Sequence, residues 1–528
     1  MTQSSLNKKS NNKQSHNIPA LKKRQEKVLE MGGEDKIARQ HKKGRMTARE
    51  RINKLLDESS FEETGMLAHS DLKAAKNKTP SDGKICGFGD VHGSETFVAA
   101  DDVTVFAGAG GRIGVSKVYE KMSYAQKKGI PCVYLGDAGG ARIPDIMGSD
   151  GMMSMSYSTT ISEPRDRKAP LVTAIMGECM GGPTWVAATS DIVVQVKGTV
   201  MCVGGSSILR IATGEDTTDE ELGGWELHAQ HTGLVDLFAE DEAECLSLIR
   251  KVLSYLPNSA AQLPKVTICH DDPAEQLDAL LDVVPENPKQ PYDMHHLLNL
   301  IADQDSVLEL RPYFDASLIT AFMRIDGHVT GVLANNPMVT AGAMGPGACE
   351  KATAFIALCD SFNIPLLFLH DTPGFLVGKA AEDQKMSLKI MRFIDALHHC
   401  SVPRVSLIVR KSYGMAHCNM SGGKMGSDHI MAWPTADVSF MAPDVAVNVA
   451  FGRKLAQSEN GEAEKEMYMQ AMQQSSEPWE AAGLNLLDEV IDPRDTRKKI
   501  IKAFKRARGH DGKGGMSKRL MASWPKML

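Results

Sequence analysis

Four short turns hold the residues whose types could do chemistry. They are Asp137-Ala138-Gly139-Gly140-Ala141-Arg142, Met180-Gly181-Gly182-Pro183, Asp371-Thr372-Pro373-Gly374-Phe375 and Gly414-Met415-Ala416-His417-Cys418. Each follows an apolar run and precedes a stretch that reads as a helix. Side-chain catalysts are scarce. The chain has no nucleophile elbow with its triad, no HExxH and no GxxxxGK[ST]. What the turns offer is backbone. Glycine or alanine lets a ligand approach the chain closely, and the first amides of the following helix are unpaired at the positive end of its dipole. Two such N–H groups aimed at one oxygen stabilise a developing oxyanion, often the largest single catalytic contribution. One such turn is ordinary in an α/β domain. Four in two registered copies point to a reaction in which two carbonyl oxygens become anionic.

The elements that must position these turns are themselves duplicated. Asp137 and Asp371, Gly140 and Gly374, and Gly93 and Gly327 are each 234 residues apart, and Gly181 and Gly414 are 233 apart. GSETFVAADDVTVFAGAGG (93–111) matches GHVTGVLANNPMVTAGAMG (327–345), and ATSDIVV (188–194) matches PTADVSF (434–440). A repeat of this length is a domain with its own core rather than a solenoid unit. Strands are expected at KICGFGDV, ETFVAADD and TVFAGA, then a helix over 116–129 running into IPCVYLGD. That alternation indicates an α/β domain with ligands at the carboxyl ends of its strands.

Bulk properties exclude several classes. Hydrophobic content of 42%, 24% charged residues and a net charge of −6 fit a globular protein with no nucleic-acid footprint. Ten cysteines without CxxC spacing argue against a disulfide framework or structural zinc. No apolar run reaches membrane-spanning length, and the polar start MTQSSLNKKSNNKQSHN lacks a signal-peptide apolar core, so a cytoplasmic location is expected. Thr47 with Glu50 reads as a capping box beside the basic residues Lys42, Lys43 and Arg45, which could face solvent or the phosphates of a ligand.

HKKGRMTARERINKLLD, GDAGGARI, GEDTTDEELGGWELHAQHTGLVD, ENPKQPYDM, CDSFNIPLLFLHDTPGFLVG, VPRVSLIVRKSYGMA and AWPTADVSFMAP together resemble the carboxyltransferase β subunits of biotin-dependent acyl-CoA carboxylases, the propionyl-CoA and methylcrotonyl-CoA enzymes among them. The resemblance runs from about residue 22 to 505. It implies two crotonase-like domains, the first binding a CoA thioester and the second biotin. It also implies sites shared between subunits of a hexamer. In this chemistry biotin on a partner protein delivers CO2 to the α- or γ-carbon of the thioester through an enolate, with no metal in this subunit. By position, Gly181 and Gly182 would belong to the thioester hole, and Met415 and Ala416 would face biotin. Gly139, Gly140, Ala141, Arg142 and Gly108 would lie on the CoA side, and Gly374, Phe375, Gly414 and Cys418 on the biotin side. A biotin carboxylase and a biotin carboxyl carrier are the implied partners, since neither an ATP-grasp region nor a biotinylation motif is present.

Departures from the family pattern bear on the substrate. Pro183 stands where alanine is common and has no N–H. Gln384-Lys385 and Ile390-Met391 replace small residues, and Cys418 replaces a frequent aspartate. Larger side chains there suggest a reshaped acyl or biotin pocket. His417 reads as a hydrogen-bonded wall residue rather than a proton shuttle. The expected organisation is a disordered tail (1–20), an acyl-CoA domain (21–260), a Pro- and Asp-rich linker (261–292), a biotin domain (293–505) and a basic tail (506–528). Three other readings stay open: the carboxyltransferase subunit of a decarboxylase or transcarboxylase, a non-catalytic acyl-CoA-binding paralogue, and a biotin-independent crotonase-type enzyme.

Overall fold

The computed structural model describes residues 17–149, 151, 165–272, 276–423, 425–509 and 519–526. Residues 1–16, 510–518 and 527–528 of the two expected tails lie outside this set. Two compact units form: one comprises the chain up to His228 with Leu237–Ser254, the other Ala229–Asp236 with the residues from Tyr255 on.

The first unit is built on strands β1 (Glu62–Thr64), β2 (Lys84–Val91), β3 (Ser94–Asp101), β4 (Cys132–Ala138), β5 (Leu171–Met180), β6 (Ile192–Val196), β7 (Val200–Cys202) and β8 (Leu237–Ala239). Their order is β1-β2-β3-β4-β5-β6-β8, with β7 also paired to β5. The first three pair antiparallel; from β3 onward every pairing is parallel. Every residue of β4 is buried, the continuous apolar pattern that a parallel strand covered on both faces requires. Val118, Tyr119 and Met122 of the helix Arg112–Lys128 pack on Phe97, Cys132 and Tyr134.

The second unit repeats this strand for strand, from β9 (Leu308–Leu310) to β16 (Glu489–Val490), with β12 (Leu366–Thr372) and β13 (Arg404–Tyr413) at its centre. The pairing of Phe97 with Cys132 recurs as Gly331 with Leu366, and that of Cys132 with Leu171 as Leu366 with Arg404. Even the register break at Asp137 recurs at Asp371. A lysine held by backbone carbonyls recurs too. Lys117 Nζ donates to the Gly65 and Ser81 carbonyls, and Lys351 Nζ, 234 residues on, to those of Arg311 and Phe314.

Several local readings change. Residues 17–29 are helical, so helix begins within the segment expected as a tail. TVFAGA is a turn rather than a strand. The stretch expected as a linker contributes Leu280, Val283 and Tyr292 to the second unit's core. Of the basic C-terminal segment, residues 519–526 dock on the second unit, with Met521 buried and Lys526 paired with Asp236 at 2.5 Å. Thr47 caps the helix Ala48–Leu55 in a full capping box with Glu50.

Candidate active site

In the first unit, Asp137 closes β4 and is fixed by burial among partners. Arg51 reaches it at 2.9 Å and Glu242 at 2.5 Å, and the Asp137 N–H donates to Asp101 Oδ2. Arg51 is fully buried, so losing either carboxylate would leave a charge uncompensated at a cost of about 3–5 kcal/mol. This clamp sets the direction of the next turn. Ala141 then bridges Gly110: the Gly110 N–H donates to Gly140 O and the Arg142 N–H to Gly110 O.

A second turn leads into that bridge. Phe106, Ala107 and Gly108 all take positive φ, of 50°, 53° and 67°. A side chain on Gly108 would meet the Asp137 carbonyl at 2.3 Å. In the second unit Thr340, Ala341 and Gly342 do the same, with φ of 46°, 54° and 83° and the Asp371 carbonyl 2.1 Å from a Cβ at Gly342. Non-glycine residues in this region cost about 1–3 kcal/mol each. Two of them at equivalent places in both units mark a geometry that the fold retains. Gly108 is thus a close-approach residue whose own N–H goes to Val105.

At the end of β5, Gly181 has φ 68° and ψ −113° and precedes the helix Gly182–Thr189. The Gly181 N–H is taken by Cys202 O at 3.1 Å, and those of Thr184 and Trp185 by Gly181 O. Pro183 has none. Among the described residues the Gly182 N–H meets no backbone carbonyl, so Gly182 is the donor left to this turn. Gly140, Ala141, Gly182, Val118, Tyr134 and Trp185 share one largely apolar cavity of roughly 310 Å³, with Pro183 in its wall. Gly139 lies beside it. Arg142 does not line it: its guanidinium is buried against Asp82 (2.7 Å) and Asp145 (2.5 Å), which raise its pKa and hold the turn. Arg45 donates to Gly198 O.

A larger cavity of roughly 730 Å³ in the same unit carries the cationic character that the knot at 42–45 suggested. Arg24, Lys27, Lys36, Lys76 and Lys78 line it, with Phe106 of the strained turn in its wall. These lysines are spread over separate elements, so no short sequence window contains them.

The second unit places Gly374 (φ 132°) and Phe375 as it places Gly140 and Ala141, with Phe375 bridging Met344. Gly414 (φ 59°) opens the helix Gly414–Asn419, whose first-turn amides include those of Met415 and Ala416. The rim is open and apolar. A Cβ on Gly374 or Gly378 would meet nothing within 4 Å, and Val377, Met415 and Phe440 are exposed. Cys418 is half-buried, and burial pushes its thiol up, away from nucleophilic character. Gln384, Lys385 and Met391 are exposed on this unit, with Lys385 at φ 62°. His417 Nδ1 lies 2.8 Å from Ser412 Oγ, which lies 2.9 Å from His370 Nδ1. Cys269, Asp271 and Asp303 converge within metal-ligand spacing, but Arg497 Nη2 already sits among them, 2.8 Å from Asp303.

Each unit therefore presents a backbone turn that can hold an oxygen atom as it becomes anionic. Residues 39–513 match the carboxyl transferase domain. The chain is 36% identical over 493 residues to the carboxyltransferase subunit of propionyl-CoA carboxylase from Haloferax mediterranei, covering 92% of this chain and 94% of that one. It is 33% identical to the alpha subunit of methylmalonyl-CoA decarboxylase from Propionigenium modestum, over 93% of this chain and 96% of the other. Among solved structures, the transcarboxylase 12S hexamer with methylmalonyl-CoA superposes with a TM-score of 0.88 at 32% identity, covering 93% and 94% of the two chains. The chain belongs to the carboxyl transferase family, as a crotonase-like carboxyltransferase of the biotin-dependent acyl-CoA carboxylase kind.

Proposed function

We propose that this subunit moves a carboxyl group between biotin on a partner protein and an acyl-CoA thioester, the first unit holding the thioester and the second the biotin. The observation that carries this reading is the pair of turns at Gly181–Gly182 and Gly414–Ala416, each following the end of a central parallel strand, β5 or β13, and opening a helix. The first-unit cavity suits a thioester: the Gly182 amide faces its oxygen, and Val118, Tyr134 and Trp185 take apolar groups. The basic cavity beside Phe106 offers four lysines and an arginine to the phosphates of CoA.

Biotin, when bound, supplies the carboxyl group. The second unit's residues fit it: Gly374 leaves room for close approach, Val377 and Phe440 offer an apolar rim, and the Met415 and Ala416 amides would face its ureido oxygen. No side-chain base is needed, because each amide pair stabilises charge where it develops. By similarity to transcarboxylase 12S, the subunit assembles as a hexamer. Transfer in the opposite direction is the second reading, favoured by the 33% identity to a methylmalonyl-CoA decarboxylase subunit.

Capture of the native complex through this chain tests the proposal. A biotinylated partner is expected, with carboxylation of one thioester from a panel on adding ATP and bicarbonate. Acyl-CoA binding with no biotinylated partner would overturn it and leave a binding paralogue. Decarboxylation without ATP-driven carboxylation would select the reverse direction.

A further inference from the structure

The two units share their strands, bridges and strained turns, yet they differ in one buried place. His370 and Ser412 lie near the ends of β12 and β13, and His417 sits in the helix Gly414–Asn419. Their first-unit counterparts at the repeat spacing are Gly136, Cys179 and Thr184. There, among the described residues, no side-chain chain links them: a Cβ on Gly136 would meet Cys179 Sγ at 2.9 Å, and the Thr184 hydroxyl donates to the Gly181 carbonyl. In the second unit a hydrogen-bonded chain replaces it: His370 Nδ1 to Ser412 Oγ at 2.9 Å, and Ser412 Oγ to His417 Nδ1 at 2.8 Å. The two rings stand edge to face, 5.9 Å apart.

The chemistry of this chain is restrictive. A hydroxyl has one hydrogen, so Ser412 donates to one imidazole and accepts from the other. The two neutral rings must then carry their protons on opposite nitrogens, and neither can turn over without breaking its bond to Ser412. His370 and Ser412 are fully buried, so a broken bond there is not replaced by water. The chain thereby ties both central strand ends to the residue that follows Ala416. His417 also packs against Gly422, where a Cβ would come within 2.6 Å of its Nε2.

We infer that His370, Ser412 and His417 are positioning residues that fix the Tyr413–Ala416 turn, and so serve the biotin side of the reaction but not the thioester side. The functional half of this inference rests on the carboxyl-transfer reading above. The holoenzyme assembled with its biotin-bearing partner tests it through Ser412→Ala, His417→Leu and His417→Asn. A small displacement of a catalytic group costs on the order of 10²-fold in rate, so S412A and H417L are expected to lose about ten- to a hundred-fold in kcat. The KM for acyl-CoA should stay unchanged. Asn carries an amide group near the place of Nδ1 and can keep the bond to Ser412, so H417N should recover most of the rate at equal melting temperature. Amide hydrogen exchange over residues 413–420 reads the same claim without turnover, and S412A should exchange faster there. Unchanged exchange in S412A overturns the positioning claim whatever the activity. Faster exchange with full kcat removes its catalytic part. A wild-type complex that never uses biotin, but whose exchange responds to S412A, sinks the carboxyl-transfer reading and leaves the positioning claim standing.

Discussion

At the scale of single residues, the two turns are not equivalent. Pro183 and Ala416 occupy the same register of the repeat, so the first turn lacks an amide that the second has. Because a buried proline already sits at this register in one unit, the fold tolerates it there. Ala416→Pro is therefore a clean deletion of one donor. It should cost on the order of 10²–10³ in kcat, leave acyl-CoA binding intact by calorimetry, and shift the melting temperature little. His417 gives a pH prediction. Burial lowers its pKa from 6.5 to about 4, so between those values the unfolded chain binds a proton that the folded one refuses. Stability then rises with pH across this window and is lost as pH falls from about 6.5 to 4, by on the order of 3 kcal/mol in all. His370, also depressed by burial, acts in the same direction. Urea titrations at pH 7 and 4.5 should show the loss, and His417→Asn should reduce it. The glycine turns were legible in the sequence because their residue types and spacing repeat. The division of labour within them was not: that Gly181 gives its N–H to Cys202 while Gly182 keeps its own follows from how β7 pairs with β5.

At the scale of elements, strands and repeat were readable, and strain was not. TVFAGA has the composition of a strand, yet folding brings Gly108 under the Asp137 carbonyl, and the chain must turn with Phe106 and Ala107 at positive φ. No local pattern announces a contact made 29 residues later. Lys385 shows the converse. It departs from a family glycine, and the structure gives the reason glycine suits the place: its φ is 62°, at the N-cap of the helix Met386–His399. Lys385→Gly should raise stability by roughly 1 kcal/mol, seen as a higher midpoint in denaturant. Lys117 and Lys351 share the 234-residue spacing, but nothing in their sequence shows that backbone carbonyls hold them. Lys351→Met would leave the Arg311 and Phe314 carbonyls without their ammonium donor. A loss of about 1–3 kcal/mol per carbonyl is expected in chemical denaturation. A midpoint unchanged within error would show that water replaces the donor.

At the scale of the whole molecule, duplication explains why two like turns exist and divergence explains how their surroundings differ. Both units keep the bulge at the strand-end aspartate, the parallel bridge and the strained turn. Around that frame the first unit surrounds its turn with an apolar cavity and a basic one, while the second leaves its turn on an open apolar rim. The basic cavity escaped the sequence because Arg24, Lys36 and Lys76 meet only after folding. Of the departures, Gln384, Lys385 and Met391 are exposed on the second unit, while Ile390 and Cys418 are half-buried. The central claim is that this subunit itself moves a carboxyl group between two substrates, and single-turnover transfer tests it most directly. A partner carrying label on its biotin would be mixed with this subunit and an acyl-CoA, without ATP. The account predicts label on the thioester, at a rate that Ala416→Pro lowers by on the order of 10²-fold or more. Label that stays on the partner, or leaves it equally fast with and without the thioester, would contradict it.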